Sequence, residues 1–87
     1  MVELLKVKTT SKPNAVATAI ANILKTQKKL KVQAVGAGSI NQAIKALAIA
    51  RSHLVLSGND LVMYPVFSEV TIEEKIKTAI CFITKLI

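Results

Sequence analysis

An α+β two-layer sandwich of the α/β class, with two helices packed on a mixed four-stranded sheet in the order β-α-β-α-β-β, is what this sequence predicts for residues 1–87 as one domain. Three observations lead there. Gln33 to Arg51 reads as the end of a buried strand, a turn opened by Gly36 and Gly38, and then a helix. An alternating segment and a second helical pattern precede it, and a strand–helix–strand unit this compact is most simply parallel and right-handed. Two extended segments joined by a short reversal close the chain.

Each element has its own signal. Glu3 to Thr9 alternates Leu5 and Val7 against Lys6 and Lys8, a strand with one covered face. Ser11-Lys12-Pro13-Asn14 then starts a helix, with Ser11 as the cap and proline tolerated in a first turn because its missing amide would lack a partner anyway. Val16, Ile20, Ile23 and Leu24 give that helix an apolar side, while Lys25, Lys28 and Lys29 complement its dipole near the end. Leu30 to Val35 is a short aliphatic strand. The following helix is expected to be capped by a Ser39–Gln42 box and to bury Ile40, Ala43, Ile44, Leu47 and Leu54. Each large aliphatic among them contributes roughly 1.5–3 kcal/mol when fully buried. Ala46, Ile49 and Ala50 give it a second apolar face, and Asn41, Lys45 and Ser52 a polar stripe. Ser57-Gly58-Asn59-Asp60 is a turn. Leu61 to Val70 is extended, with Pro65 favouring an edge or a bulge. Thr71 to Glu74 reverses the chain into a last strand, Lys75 to Ile87, whose two faces both look covered.

Composition sets the functional limits. An apolar content of 52% with positive mean hydropathy excludes a disordered chain, and no stretch has the length and lack of charge to span a bilayer. The beginning, with Glu3, Lys6 and Lys8, does not read as a secretory signal. A single cysteine, Cys81, makes no internal bridge and fits a reducing cytoplasm. A chain of 87 residues with this much apolar material is expected to bury the surplus in a symmetric homodimer.

The net charge of +7 is uneven. Up to Arg51 nine basic residues face Glu3 alone; from Ser52 onward three lysines meet Asp60, Glu69, Glu73 and Glu74. A basic half points to a polyanionic partner, DNA or RNA. The plain alternative is lysines that keep an apolar domain in solution.

Chemistry is sparse. Gly36-Ala37-Gly38 before a helix is two thirds of a dinucleotide fingerprint, but Asn41 stands in place of the third glycine and the chain is short for that fold. Glycines and a helix start still suit a phosphate, and a tight turn that needs small residues explains them equally well. Both helices of a parallel pair begin on one side, so Lys12 is expected beside this turn, offering an ammonium and several amides to a phosphodiester backbone. No catalytic residue stands out. His53 has no acid or cysteine near it in sequence and fits a helix end. Glu73 and Glu74 fit a solvated turn, Cys81 a small core position, and metal ligands at useful spacing are absent. No cofactor is implied. Tyr64, Phe67 and Phe82 form no cluster, so contacts should be to phosphates with weak sequence preference.

Ser11-Lys12-Pro13-Asn14-Ala15-Val16-Ala17 within Val7 to Ala21, then Gly36-Ala37-Gly38-Ser39-Ile40-Asn41-Gln42-Ala43-Ile44-Lys45-Ala46 through Arg51, resembles the stage V sporulation protein S family. Ser57-Gly58-Asn59-Asp60-Leu61 and Pro65-Val66-Phe67 extend the likeness over nearly the whole chain. More distantly, the element order and the basic residue before the first helix resemble the Alba group of small dimeric chromatin- and RNA-binding proteins. The resemblance implies an Alba-like fold, a cytoplasmic regulator linked to endospore development, and nucleic-acid binding without catalysis. Lys12 stands where Alba proteins place a basic residue facing nucleic acid, and Gly36 to Ile40 where they have a glycine-containing loop. Alba proteins usually carry a basic hairpin arm; here the reversal is short and carries Glu73 and Glu74, and the Gly36–Ser39 loop lacks their arginine. Binding is therefore expected from Lys12, Gly36, Gly38, Ser39, Asn41, Lys45 and Arg51, with no arm in a groove. Two other readings stay open: a protein-interaction module using the helix face around Ile49, and a small nucleotide sensor at the Gly36–Ser39 turn.

Overall fold

Alternation in the first segment produces strand β1 (Glu3–Val7), with Val7 buried and Lys6 in solvent. The computed structural model describes residues 2–87 and continues with α1 (Pro13–Gln27), β2 (Lys29–Ala34), α2 (Ala37–Val55), β3 (Leu61–Ile72) and β4 (Lys75–Leu86). The four strands form one sheet in the spatial order β1-β2-β4-β3. β1 and β2 run parallel, and the other two pairs antiparallel. The predicted order and the mixed sheet under two helices are thus what the chain forms.

The core lies between the helices and one face of the sheet. Ile20 and Leu24 of α1, Leu30 and Val32 of β2, and Leu54 of α2 are fully buried in it. Thr84 is buried there too, its hydroxyl donating to the Phe82 carbonyl at 3.1 Å, so the polar group is satisfied. Small residues let the helices approach: Ala17 and Ala21 of α1 and Ala43, Ala46 and Ala50 of α2 are all buried. The second apolar face expected of α2 is covered, since Ala46 and Ala50 are buried and Ile49 packs against the core.

Several local expectations give way to longer-range contacts. Lys12, not Ser11, occupies the cap position of α1, and no side chain caps it. Ser11 instead accepts the Lys8 amide on its hydroxyl at 2.9 Å and closes the preceding turn. The α2 cap is Gly36, at φ +87°, so the Ser39–Gln42 box does not form. Ile44 is 46% exposed and leaves the expected buried stripe. Covered faces on β4 are confined to its second half: Ala79, Cys81, Phe82 and Thr84 are buried, but Lys75 to Thr78 are exposed.

That last difference has a simple origin. β2 ends at Ala34, opposite Ile80, whereas β3 and β4 stay paired to Ile72 and Lys75. The pairs from Ser68↔Ala79 to Ile72↔Lys75 therefore leave the sheet as a two-stranded arm, roughly 15 Å long at a strand's rise per residue. The short, acidic reversal led to the expectation of no arm in a groove; the chain does build an arm, by strand length rather than loop length. Its tip is acidic, with Glu73 at φ +52° and Glu74 at φ +65° in the tight turn. β3 is an edge strand, as Pro65 suggested.

Candidate nucleic-acid interface

The turn after β1 is fastened to the start of α2 by three side chains. Gln42 Nε2 donates to the Ser11 carbonyl at 3.0 Å and the Thr9 carbonyl at 3.4 Å. The Thr9 and Ser39 hydroxyls lie 3.2 Å apart, and Ser39 is buried. Gly38 leaves room for this contact, because a Cβ there would stand 3.0 Å from Thr9 Cγ2. The turn that carries Lys12 thus rests directly on the first turn of α2, and Lys12 itself is exposed. The hydrogen bonds across this junction are made by Thr9 and Ser11, and Lys12 follows them directly in the chain.

At this corner the first turn of α2 keeps its amides free of any capping side chain. The first intrahelical bond runs from the Ile40 amide to the Gly36 carbonyl at 3.0 Å. Gly36, Ala37 and Gly38 are exposed. The Ser39 hydroxyl is buried and occupied with Thr9. A cleft of about 530 Å³ adjoins it, lined by Lys6, Lys8 and Lys77, the hydroxyls of Thr9, Ser39 and Thr71, and Gln33 among others, with no acidic residue in its wall. Positive potential is concentrated in such a recess because low-dielectric walls focus the field.

The other predicted residues divide. Asn41 and Lys45 are exposed along α2, one helical turn apart. Arg51 does not join them: twelve residues beyond Ser39, it lies about 18 Å further along the helix. Its Nε donates to Asp60 at 2.7 Å, and Asp60 also accepts the Leu61 amide at 2.7 Å. The Arg51 hydrogen bond, then that amide, hold the Asp60 carboxyl below its ordinary pKa. Arg51 therefore pins the α2–β3 connection. Cys81 is buried, which raises its thiol pKa, with a small opposing effect from Lys31. Among the described residues no group of His, Cys, Asp and Glu is arranged to hold a metal ion, and no helix is long and apolar enough to cross a membrane.

A family model described as Stage V sporulation protein S (SpoVS) matches residues 3–86. The chain belongs to that family. It is a sporulation-related protein, and the match runs from the first residue of β1 to the last of β4, so the whole clamp lies within it.

Sequence reasoning missed Lys6, Lys8 and Lys77 as members of one cleft. Lys6 and Lys8 stand in and just after β1 while Lys77 stands on β4, and only the pairing of the arm beyond β2 brings Lys77 toward β1. Gln42 was legible as a polar residue near a helix start, but its true partners are 31 and 33 residues away in the chain.

Proposed function

We propose that this protein is a non-enzymatic cytoplasmic regulator of endospore development that binds DNA or RNA through phosphate contacts and works as a homodimer. The single observation behind it is the clamp: Gln42, Thr9 and Ser39 hold an exposed lysine, Lys12, beside a glycine-opened helix start with uncapped amides. An ammonium and oriented amides at one corner suit a phosphodiester oxygen, and three further lysines with no acid line the adjoining cleft. The family's link to sporulation supports the regulatory setting. Lys45 and Asn41 lengthen the contact along α2.

Titration with labelled duplex over a series of salt concentrations tests this. Log affinity should fall linearly with log salt, and Lys12→Glu should weaken binding to all sequences alike, by about ten-fold, with a shallower slope. Full affinity in Lys12→Glu removes the corner from the interface.

The homodimer reading rests on apolar surface left bare on the helix side. Met63, Pro65 and Phe67 of β3 share the face of the buried Leu61 but are themselves exposed. Phe67 is 81% exposed and Ile44 of α2 46% exposed. A second copy seated on these side chains takes exposed apolar surface out of water. A different protein on the same patch is the interaction-module reading, now centred on Ile44 and Phe67 because Ile49 is already packed.

A further inference from the structure

Side-chain parity sorts the charges of this sheet. Register places Leu4 and Lys6 of β1, Lys29, Lys31 and Gln33 of β2, Lys77, Ile83 and Lys85 of β4, and Val62, Tyr64 and Val66 of β3 on the face turned away from the helices. Every acidic residue lies elsewhere. Glu3 accepts from Gln27 of α1 on the helix side, at 3.4 Å. Asp60 pairs with Arg51, Glu69 shares the parity of Phe67, and Glu73 and Glu74 sit at the tip of the arm. The lysines on this face are exposed, and Tyr64 is 56% exposed among them. At one end the face becomes concave, where Val70, Ile72 and Lys77 of the arm close with Lys6 and Gln33 on the acid-free cleft.

We infer that this open sheet face is a second nucleic-acid surface, meeting the Lys12 corner only at the cleft lysines Lys6 and Lys77, that takes a single strand with phosphates on Lys29, Lys31 and Lys85 as well as these two and a base stacked on Tyr64. The chemistry of the face selects the occupant. Cations alone suit any polyanion, but an exposed aromatic ring and flanking Val62, Val66 and Ile83 add an apolar floor that phosphates do not use. Bases in a duplex hide their faces in the stack, whereas an unpaired base offers its face to a ring. A second copy of the chain is disfavoured, since a two-fold pairing would set lysines against lysines. The loop and helix start that hold Lys12 play no part in this contact beyond bordering the cleft.

Binding of a fluorescein-labelled oligothymidylate and of a labelled duplex to the full chain, each measured for the parent, Tyr64→Ala, Lys31→Glu and Lys12→Glu, tests the assignment. Tyr64→Ala should weaken the single strand by about ten-fold, the worth of one stacked base, and Lys31→Glu by a similar factor. Both should leave duplex affinity within two-fold, and Lys12→Glu should do the reverse. Both altered side chains are exposed, so unchanged thermal melting is expected and verifies folding. Parent-like single-strand affinity in Tyr64→Ala and Lys31→Glu, or no single-strand binding by the parent, overturns this inference and leaves the duplex reading untouched. Loss of both ligands in Lys12→Glu overturns the separation of the two surfaces. Vesicles rich in phosphatidylglycerol form the control: preferential, Tyr64-dependent capture by them at matched charge assigns the face to lipid and overturns the proposal.

Discussion

Ser39 illustrates how a residue type is readable while its partner is not. A serine near a glycine-opened helix start announces a polar task, and the nearest candidate in sequence is the amide of its own helix. The chain uses it instead across the fold, on Thr9, because β1 and β2 lie in parallel and bring the turn after β1 against the turn after β2. Arg51 shows the same limit. Its charge was legible, but Asp60, nine residues on, becomes its neighbour only when β3 folds back beside α2. That pair makes a pH prediction. The folded-state pKa of Asp60 is lowered, so its contribution is present above the ordinary carboxylate pKa and is lost as pH falls through the lowered value. A carboxyl titration followed by NMR should give Asp60 a midpoint below the ordinary value, and Arg51→Gln should move it upward. Because both side chains are exposed, the effect on global stability should be slight.

Elements were more legible than contacts. Periodicity located both helices and all four strands, since burying an apolar stripe dominates local choices. It failed for Ile44 and for the first half of β4, where a repeat of apolar residues says nothing about whether anything exists to cover them. Strand length also carried more information than the reversal it leads to: β3 and β4 outrun β2, and the surplus becomes the arm. The junction of the first turn of α2 with the turn after β1 has its own test. In Gly38→Val the new Cβ meets Thr9 Cγ2 at about the 3.0 Å of the ideal position, closer than such atoms tolerate. Overpacking of this kind costs about 1–3 kcal/mol, and Thr9 must yield. Denaturant melts should show that loss, and duplex affinity should fall with it, because Lys12 rides on the displaced turn. A variant that melts like the parent and binds like it would show that the turn and the helix are not coupled.

Taken entire, the molecule measures 43 × 26 × 17 Å and presents three different surfaces. One corner carries Lys12 and free amides, the open sheet face carries lysines and Tyr64, and the helix side of β3 carries Met63, Pro65 and Phe67. The charge imbalance of the halves was visible in the sequence; its segregation by face was not, since it depends on register. The bare apolar surface predicts association. On the proposed homodimer, light scattering should give a dimer mass for the parent and a monomer mass for Phe67→Glu, without a change in secondary structure, since Phe67 is 81% exposed. A dimer that persists in that variant places the contact elsewhere. Pro65 gives this association a definite form. On the outermost strand it lacks a hydrogen to donate, and at the opposite margin β1 is only five residues long. Neither border of the sheet can template an endless ribbon of further copies. Growth by lateral addition of strands is disfavoured at both margins, so any association of copies must use a face of the sheet or a helix rather than its edges.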